Sequence, residues 1–542
     1  MIAVRHLVTA ALCAGIAATS ALQAQSPRPY RPDFDVADYA LTLDLPDSGA
    51  TIHGNATLTV SRAGKADTLV LDLLDLGVNA VTVDGHAVKF NRTAETIRIS
   101  VPSRPKTMLV SVDYSGAVKD GLIVRRDSAG RWTYFGDNWP NRARHWIPSI
   151  DHPSDKATVT WRVRAPSSRT VVANGRLISS KPLGGDRTET VWREARPIPV
   201  YLMVIAAAPL VMYDLGETAC GLAERQRCVP QMVYVAPEQR SFLPGPFARA
   251  GEIVGFFASL VGPFPYEKLA HLQSATRFGG MENASEIFYA DAGFRRGTMT
   301  DALIAHETAH QWFGDAVTER DWSHLWLSEG FATYFAALWR RAASGDSAFR
   351  ANMAAIRATV LADSTAVTHR PVIDSTETNY LALLNRNSYE KGGFVLHMLR
   401  KQVGERAFYE ALRGYYVRHK GATAVTDDLQ AEMERASKQR LQWFFDQWLR
   451  RPGYPTVTAT WAYDAATHET SITVRQDSRF GAYQFPLTIA VVDSTGASHR
   501  AVAQLSATAG AVQVRVPLST APSAVVLDPD VELLAALHVS PR

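Results

Sequence analysis

The sequence predicts a multidomain α+β protein, and three observations carry that expectation. At 542 residues the chain is long enough for about three or four domains. Apolar and polar residues alternate with period two through the first part of the chain and again near its C-terminal end. Between those regions the apolar spacing becomes mostly helical, and every motif with chemical content lies there. The expected organisation is a signal segment at 1–24, an all-β domain at 25–212, a mainly helical domain at 213–451 and a small β-sandwich at 452–542.

Residues 1–24 read as a secretory signal. Arg5 and His6 form a short basic start, Leu7 to Ala18 is almost wholly apolar, and small residues lead to Leu22-Gln23-Ala24, where cleavage is expected. The apolar run is short for a membrane span of about 20 residues. Cys13 follows Leu12 rather than a small residue, which argues against a lipoprotein anchor. The expected location is therefore outside the cytoplasm, periplasmic or extracellular. Signal removal leaves Cys220 and Cys228, and an even count in an exported chain suggests one disulfide closing a small loop, with two buried thiols as the alternative.

In the first domain, Leu41 to Leu45, Ala56 to Val60, Thr96 to Ser100 and Val159 to Val163 alternate as half-buried strands do. Asp84-Gly85 and Asn174-Gly175 supply turn signals between such runs. From about Gly216 to Arg451 the pattern becomes mostly helical. After Pro452-Gly453-Tyr454-Pro455, alternation returns in Thr456 to Trp461, Thr470 to Val474 and Val512 to Val516. The run Val200 to Val211 is too short to span a bilayer and contains Pro209. A net charge of +4 on a chain this long, with no concentrated basic stripe, does not argue for nucleic-acid binding.

The central region holds His306-Glu307-Thr308-Ala309-His310, with Glu329 following in Leu327-Ser328-Glu329-Gly330-Phe331. Residues four apart on a helix leave the same face, about 6 Å apart along the axis. Two imidazoles so placed can close on one Zn²⁺, and Glu307 lies beside them as a base for water. Two histidines and one glutamate form a recognised catalytic zinc set that leaves a fourth position open. Thr300 or Asp301 can cap the first helix, Leu303, Ile304, Trp312 and Phe313 anchor it over Ala302 to Phe313, and Gly314 fits its end. A second helix, roughly Trp326 to Arg341, presents Glu329 from its first turn.

Two further segments join this pattern. Phe278-Gly279-Gly280-Met281-Glu282-Asn283 places two glycines, which let another backbone approach, before a carboxylate that can meet a cationic group. Ser388-Tyr389-Glu390-Lys391-Gly392 offers a phenol able to donate to an oxyanion. Together, GGMEN at 279–283, HETAHQWFGDAVT at 306–318, WLSEGFATYF at 326–335 and YEKGG at 389–393 resemble the aminopeptidase N family of zinc exopeptidases, which includes the leukotriene-hydrolysing epoxide hydrolase. The resemblance extends upstream to Ala143 to Pro153 and downstream to Phe444 to Leu449 and Gly453-Tyr454-Pro455.

The resemblance implies an N-terminal β domain, a thermolysin-like catalytic domain and a short β-sandwich. It implies one Zn²⁺ per chain on His306, His310 and Glu329. Glu307 would activate the water, and Tyr389 would stabilise the oxyanion. Glu282 would bind the α-ammonium of a peptide with a free N-terminus, with Gly279, Gly280 and Met281 lining the substrate. Many members carry a further helical domain over the active site. This chain ends before one, which leads to the expectation of a more open cleft. The enzymatic alternatives are an epoxide hydrolase-like or bifunctional member and an endopeptidase with relaxed N-terminal selection. Three positions depart from the family pattern. Trp139 stands where a second amine-binding glutamate or glutamine is usual, with Asp137 as a nearby substitute. Ser328 replaces a common Asn. His324 replaces a frequent Asp and is read as an outer or surface residue.

Overall fold

The computed structural model describes residues 31–542 apart from 222–226, 244, 478 and 509. The expected signal segment lies outside the described residues. The N-terminal part is built on an eight-stranded sheet whose order is Arg176–Gly184, Arg187–Pro199, Lys156–Pro166, Phe34–Asp44, Thr51–Arg62, Thr107–Ala117, Gly77–Val83 and His86–Ala87. Phe34–Asp44 runs parallel to Lys156–Pro166 and antiparallel to Thr51–Arg62. The alternation read from the sequence is physical: Ile52, Gly54, Ala56, Leu58 and Val60 are buried while His53, Asn55, Thr57 and Thr59 between them are not. Two smaller sheets complete this part. One has four strands (Thr170–Ala173, Ile205–Ala208, Trp132–Gly136, Leu122–Arg126), and the other has three (Thr68–Asp72, Thr96–Ser100, Phe90–Arg92).

The two sequence turns behave differently. Asp84 and Gly85 both adopt positive φ (49° and 80°) and close a tight hairpin between Val83 and His86. Asn174-Gly175 joins strands that belong to different sheets, so it is a corner, and Asn174 is fully buried there.

The expectation of mostly helical structure from Gly216 needs correction. Residues 211–290 hold a five-stranded sheet in the order Val211–Ala219, Arg227–Val235, Leu269–Ser274, Glu286–Ala290, Gly280–Met281, with the helix Ala250–Val261 inserted. Leu269–Ser274 is buried at every position, so it carries no period-two signal to betray a strand. Cys220 and Cys228 are joined by a disulfide between the first two strands of this sheet. Helices dominate from Asp291 onward. Trp326–Ala362 is interrupted at Gly345, whose φ of 83° breaks it near the end expected at Arg341. The C-terminal part packs a four-stranded sheet (Val512–Pro517, Glu469–Gln476, Thr456–Asp464, Ala536–Pro541) with a three-stranded one (Ser498–Leu505, Phe485–Val492, Ala524–Leu527). The run from Val200 to Val211 contains the buried strand Ile205–Ala208, and no helix among the described residues is long and apolar enough to cross a membrane.

Two of the contacts between the N-terminal sheets and the central region lie close to the candidate site. Lys156 Nζ donates to the carbonyls of Asp315 and Ala316 and to Thr318 Oγ1 at 2.9–3.0 Å. Burial lowers this ammonium to about 7, against the opposing pull of Asp315 and Glu319. Asn174 Nδ2 donates to the Ala284 carbonyl at 2.8 Å, and the Gly175 N–H donates to Ser285 Oγ at 2.7 Å.

Candidate active site

The helix Asp301–His310 is capped by Thr300, whose hydroxyl accepts from the Leu303 N–H at 3.2 Å. It stops at His310, earlier than the sequence reading of Ala302 to Phe313. The His310 carbonyl is taken by the Asp315 N–H, while the Gly314 N–H turns away to Val317. Trp312 and Phe313 stay buried as anchors in the turn that follows.

His306 and His310 present their Nε2 atoms 3.2 Å apart, and Glu329 Oε2 lies 3.3 and 3.4 Å from them. Zinc with ligands at about 2.0–2.1 Å in a tetrahedron requires those ligands to stand about 3.3–3.4 Å apart. The three atoms therefore outline one face of a zinc tetrahedron. Glu329 Oε2 is buried without a directed hydrogen bond, which leaves its lone pairs for a cation. Orientation comes from behind. His310 Nδ1 lies 3.2 Å from the Phe313 carbonyl, which can only accept, so Nδ1 carries the hydrogen and Nε2 is left as a ligand. Ser328 Oγ sits 2.9 Å from the same Nδ1, giving the residue that departs from the family pattern a definite contact.

Tyr389 lies in the π-helical turn Asn387–Lys391 and donates its hydroxyl to Glu329 Oε1 at 2.7 Å. The turn is held by Asn387 Nδ2, which donates to the carbonyls of Ala366, Arg370 and Pro371, and by Lys391 Nζ, which donates to Gly453 O at 2.9 Å. The helix carrying Glu329 and the helix that follows Tyr389 touch backbone to backbone. A Cβ added at Gly330 would lie 2.9 Å from the Gly392 carbonyl carbon. The glycines of GFATYF and YEKGG thus bring Glu329 and Tyr389 together.

Gly280–Met281 forms an outer strand of the five-stranded sheet, paired antiparallel to Phe288 and Tyr289. A Cβ at Gly280 would run into the Glu307 carboxylate, so this strand passes directly over the expected base, and Met281 is buried beside it. Gly279 has no neighbour within 4 Å of such a Cβ and lies open. Glu282 follows, and its carboxylate, that of Glu307 and a His310 nitrogen all fall within 4.8 Å of one another. Burial raises Glu307 well above the ordinary carboxylate range, and Glu282 and Glu329 add to it against the opposing effect of His310. Burial likewise raises Glu282. At Glu329 burial is outweighed by contacts to both histidines, which bring the carboxyl down to about 2. Burial lowers His306, whereas at His310 the three carboxylates overcome burial and raise it. Three buried carboxylates around two imidazoles form a negative pocket that a divalent cation would balance.

Of the residues left open by the sequence, Asp137 is fully buried and its carboxylate is ion-paired with Arg142 at 3.0 Å and Arg277 at 3.5 Å. Trp139 stands edge-on to Phe278 and Trp322, with ring centroids 5.9 and 5.4 Å away. His324 Nδ1 contacts Thr426 Oγ1 at 2.8 Å and belongs to no metal-competent group among the described residues. Sequence reasoning missed Gln311, whose amide links Glu282, Ser285 and Asp315. Its position directly after His310 was the available signal.

The sequence matches the Peptidase M1 N-terminal domain over residues 35–202 and the Peptidase family M1 domain over residues 251–448. The chain belongs to the M1 peptidase family. This M1 peptidase is 28% identical over 473 residues to an aminopeptidase N of Streptomyces lividans, covering 82% of this chain and 53% of that one. It is 28% identical over 458 residues to an aminopeptidase N of Lactococcus lactis subsp. lactis, covering 79% and 52%. It spans about half the length of the curated relatives it matches. The crystal structure of an M1 zinc metallopeptidase from Deinococcus radiodurans is similar at a TM-score of 0.65 and 28% identity, over 76% of this chain and 93% of that one. An aminopeptidase A of Legionella pneumophila, crystallised with aspartic acid, shares the fold at a TM-score of 0.80 over 94% of this chain and 60% of its own, with 19% identity.

Proposed function

We propose that this M1 peptidase is an exported zinc aminopeptidase that removes N-terminal residues from peptides. The observation that carries the reading is the placement of the Glu282 carboxylate within 4.8 Å of Glu307 and His310, at the end of an outer strand that passes over Glu307. An extended peptide can pair with that strand by β-addition. Its α-ammonium then meets Glu282 in a buried, charge-assisted contact, which fixes the first peptide bond over the metal pocket.

His306, His310 and Glu329 would hold the zinc, and Lewis-acid activation of water and of the scissile carbonyl is the chemistry zinc supplies there. Glu307 accepts the proton of the attacking water and returns it to the leaving amine. Tyr389 turns its hydroxyl from Glu329 Oε1 toward the developing oxyanion. Export rests on the N-terminal segment and is supported by the Cys220–Cys228 disulfide, a bond that persists in oxidising compartments.

Hydrolysis of aminoacyl amide reporters against their N-acetylated forms, with and without a chelator, tests the reading. The expected result is cleavage of the free-amine set alone, lost on chelation and restored by zinc. Equal cleavage of both sets would instead indicate an endopeptidase. Fractionation of cells expressing the full chain should find it outside the cytoplasm. A cytoplasmic, full-length product would overturn export.

A further inference from the structure

Glu282 opens a turn that runs to Ser285, and this turn is held with unusual completeness. Gln311, fully buried, uses its whole amide on it and its surroundings. Oε1 accepts from the Ser285 N–H at 2.8 Å, and Nε2 donates to the Glu282 carbonyl at 2.9 Å and to Asp315 Oδ2 at 2.8 Å. The first two bonds grip both ends of the turn. Because Gln311 directly follows His310, they tie the turn to the helix carrying His306, Glu307 and His310. Ser285 has φ 64°, a left-handed conformation that serine seldom adopts and that persists only where its surroundings impose it. Here those surroundings are Gln311, the Gly175 N–H on Ser285 Oγ, and Lys268 Nζ on the Ser285 carbonyl at 3.2 Å.

We propose that Gln311 is a positioning residue that fixes the Glu282 carboxylate relative to the metal pocket, and so sets how strictly the site selects a free N-terminus. The inference rests on the reading of Glu282 as the amine anchor. A buried glutamine needs partners only to offset its own desolvation. This one joins two segments that each carry site groups. Without it the turn loses its tie to the metal helix and keeps the holds on Ala284 and Ser285 from Asn174, Gly175, Lys268 and the Ala270 N–H. A carboxylate free to drift loses the advantage of a fixed charge-assisted contact.

Gln311→Met keeps length and volume and removes all three hydrogen bonds. The ratio of kcat/KM for free over N-acetylated substrates should fall about tenfold, the worth of one or two buried hydrogen bonds, with zinc content unchanged. The decisive readout is a double-mutant cycle with Glu282→Ala. If Gln311 acts through Glu282, the second substitution changes the ratio no further in that background. The proposal is overturned if Gln311→Met leaves the ratio at the parental value while Glu282→Ala lowers it, or if it lowers the ratio equally in both backgrounds. If Glu282→Ala itself leaves the ratio unchanged, the amine-anchor reading has failed and the role of Gln311 falls with it. Should Gln311→Met not fold, Ser285→Ala cuts the opposite hold on the same turn. It should lower the ratio in the parent and not in the Glu282→Ala background, and any other pattern counts against the proposal.

Discussion

Replacing Gly330 by alanine tests how the two helices that carry Glu329 and Tyr389 are set. The new Cβ would meet Gly392 C at 2.9 Å, Gly392 Cα at 3.1 Å and Gly393 N at 3.2 Å. All three are backbone atoms and cannot rotate aside. Ordinary contact begins near 3.4 Å, so the crossing must open by about 0.5 Å. Glu329 is the adjacent residue, and Tyr389 lies one turn before Gly392. The opening therefore acts on their 2.7 Å hydrogen bond and on the spacing of the metal ligands. Overpacking of this kind costs about 1–3 kcal/mol. A misplacement of about 1 Å at a reacting centre costs about a hundredfold, so half of it should cost about tenfold in kcat. Scanning fluorimetry of the zinc-loaded protein and steady-state kinetics on an aminoacyl amide would measure both. Gly255→Ala provides the contrast: it sits within the helix Ala250–Val261, its Cβ would meet only Ala219 Cβ at 3.4 Å, and it should gain up to about 1 kcal/mol. Parental melting temperature and kcat in Gly330→Ala would refute the argument from close helix approach.

Four further outcomes follow from the same geometry. Tyr389→Phe removes the hydroxyl that bonds Glu329 Oε1 and should lower kcat by about 10²–10³ with zinc retained; undiminished kcat would remove Tyr389 from the oxyanion role. Ser328→Ala leaves His310 Nδ1 only the Phe313 carbonyl at 3.2 Å, so competition with a chromophoric chelator should show zinc affinity about tenfold weaker, and equal affinity would make the serine contact incidental. Chelation should lower the melting temperature as well as abolish activity, since a ligand at a hundred times its Kd stabilises by about 2.7 kcal/mol; an unchanged melting curve would argue against a bound metal. Burial raises Glu286 to about 8 against the opposing effect of Lys268, and neither carboxylate oxygen has a hydrogen-bond partner among the described residues. Such an acid is neutral in both states below its unfolded value near 4.3 and destabilises increasingly as pH rises toward 8. The stability advantage of Glu286→Gln should therefore grow from pH 5 to pH 8, and denaturant titrations showing a constant difference would contradict the assignment.

What could be read from the sequence was what repeats or what is chemically singular. Ile52, Ala56, Leu58 and Val60 announce their strand because one face is buried and the other wet. His306, Glu307 and His310 announce theirs because a helix puts residues four apart on one face. Leu269–Ser274 was read as part of a helical region because, with both faces covered, nothing alternates. The early end of the metal helix was equally hidden, since it depends on which carbonyl the Asp315 N–H selects rather than on any residue's propensity. Gly330, Gly392 and Gly393 could be seen in the sequence, but not that they face one another. The roles of Gln311 and Asn174 were hidden for a related reason: one follows a ligand and the other marks a turn, but a buried amide takes its role from partners far away in sequence.

The reach of the N-terminal sheets under the metal helix has a consequence for modularity. Lys156 adds a donor to the carbonyls of Asp315 and Ala316, which also accept from Thr318 Oγ1 and the Gly421 N–H, and Asn174 donates to that of Ala284, so polar groups of the central region are completed in part by a neighbour. A fragment beginning after residue 212 would carry every ligand and every motif. It would lose the Asn174 donor on the Ala284 carbonyl and the Gly175 N–H on Ser285, and so part of the hold on the turn that follows Glu282. The active site is in this sense a joint between two units rather than a property of one. Recombining the central region with a foreign N-terminal partner should succeed only where that partner brings its own lysine and its own corner amide to the same two places.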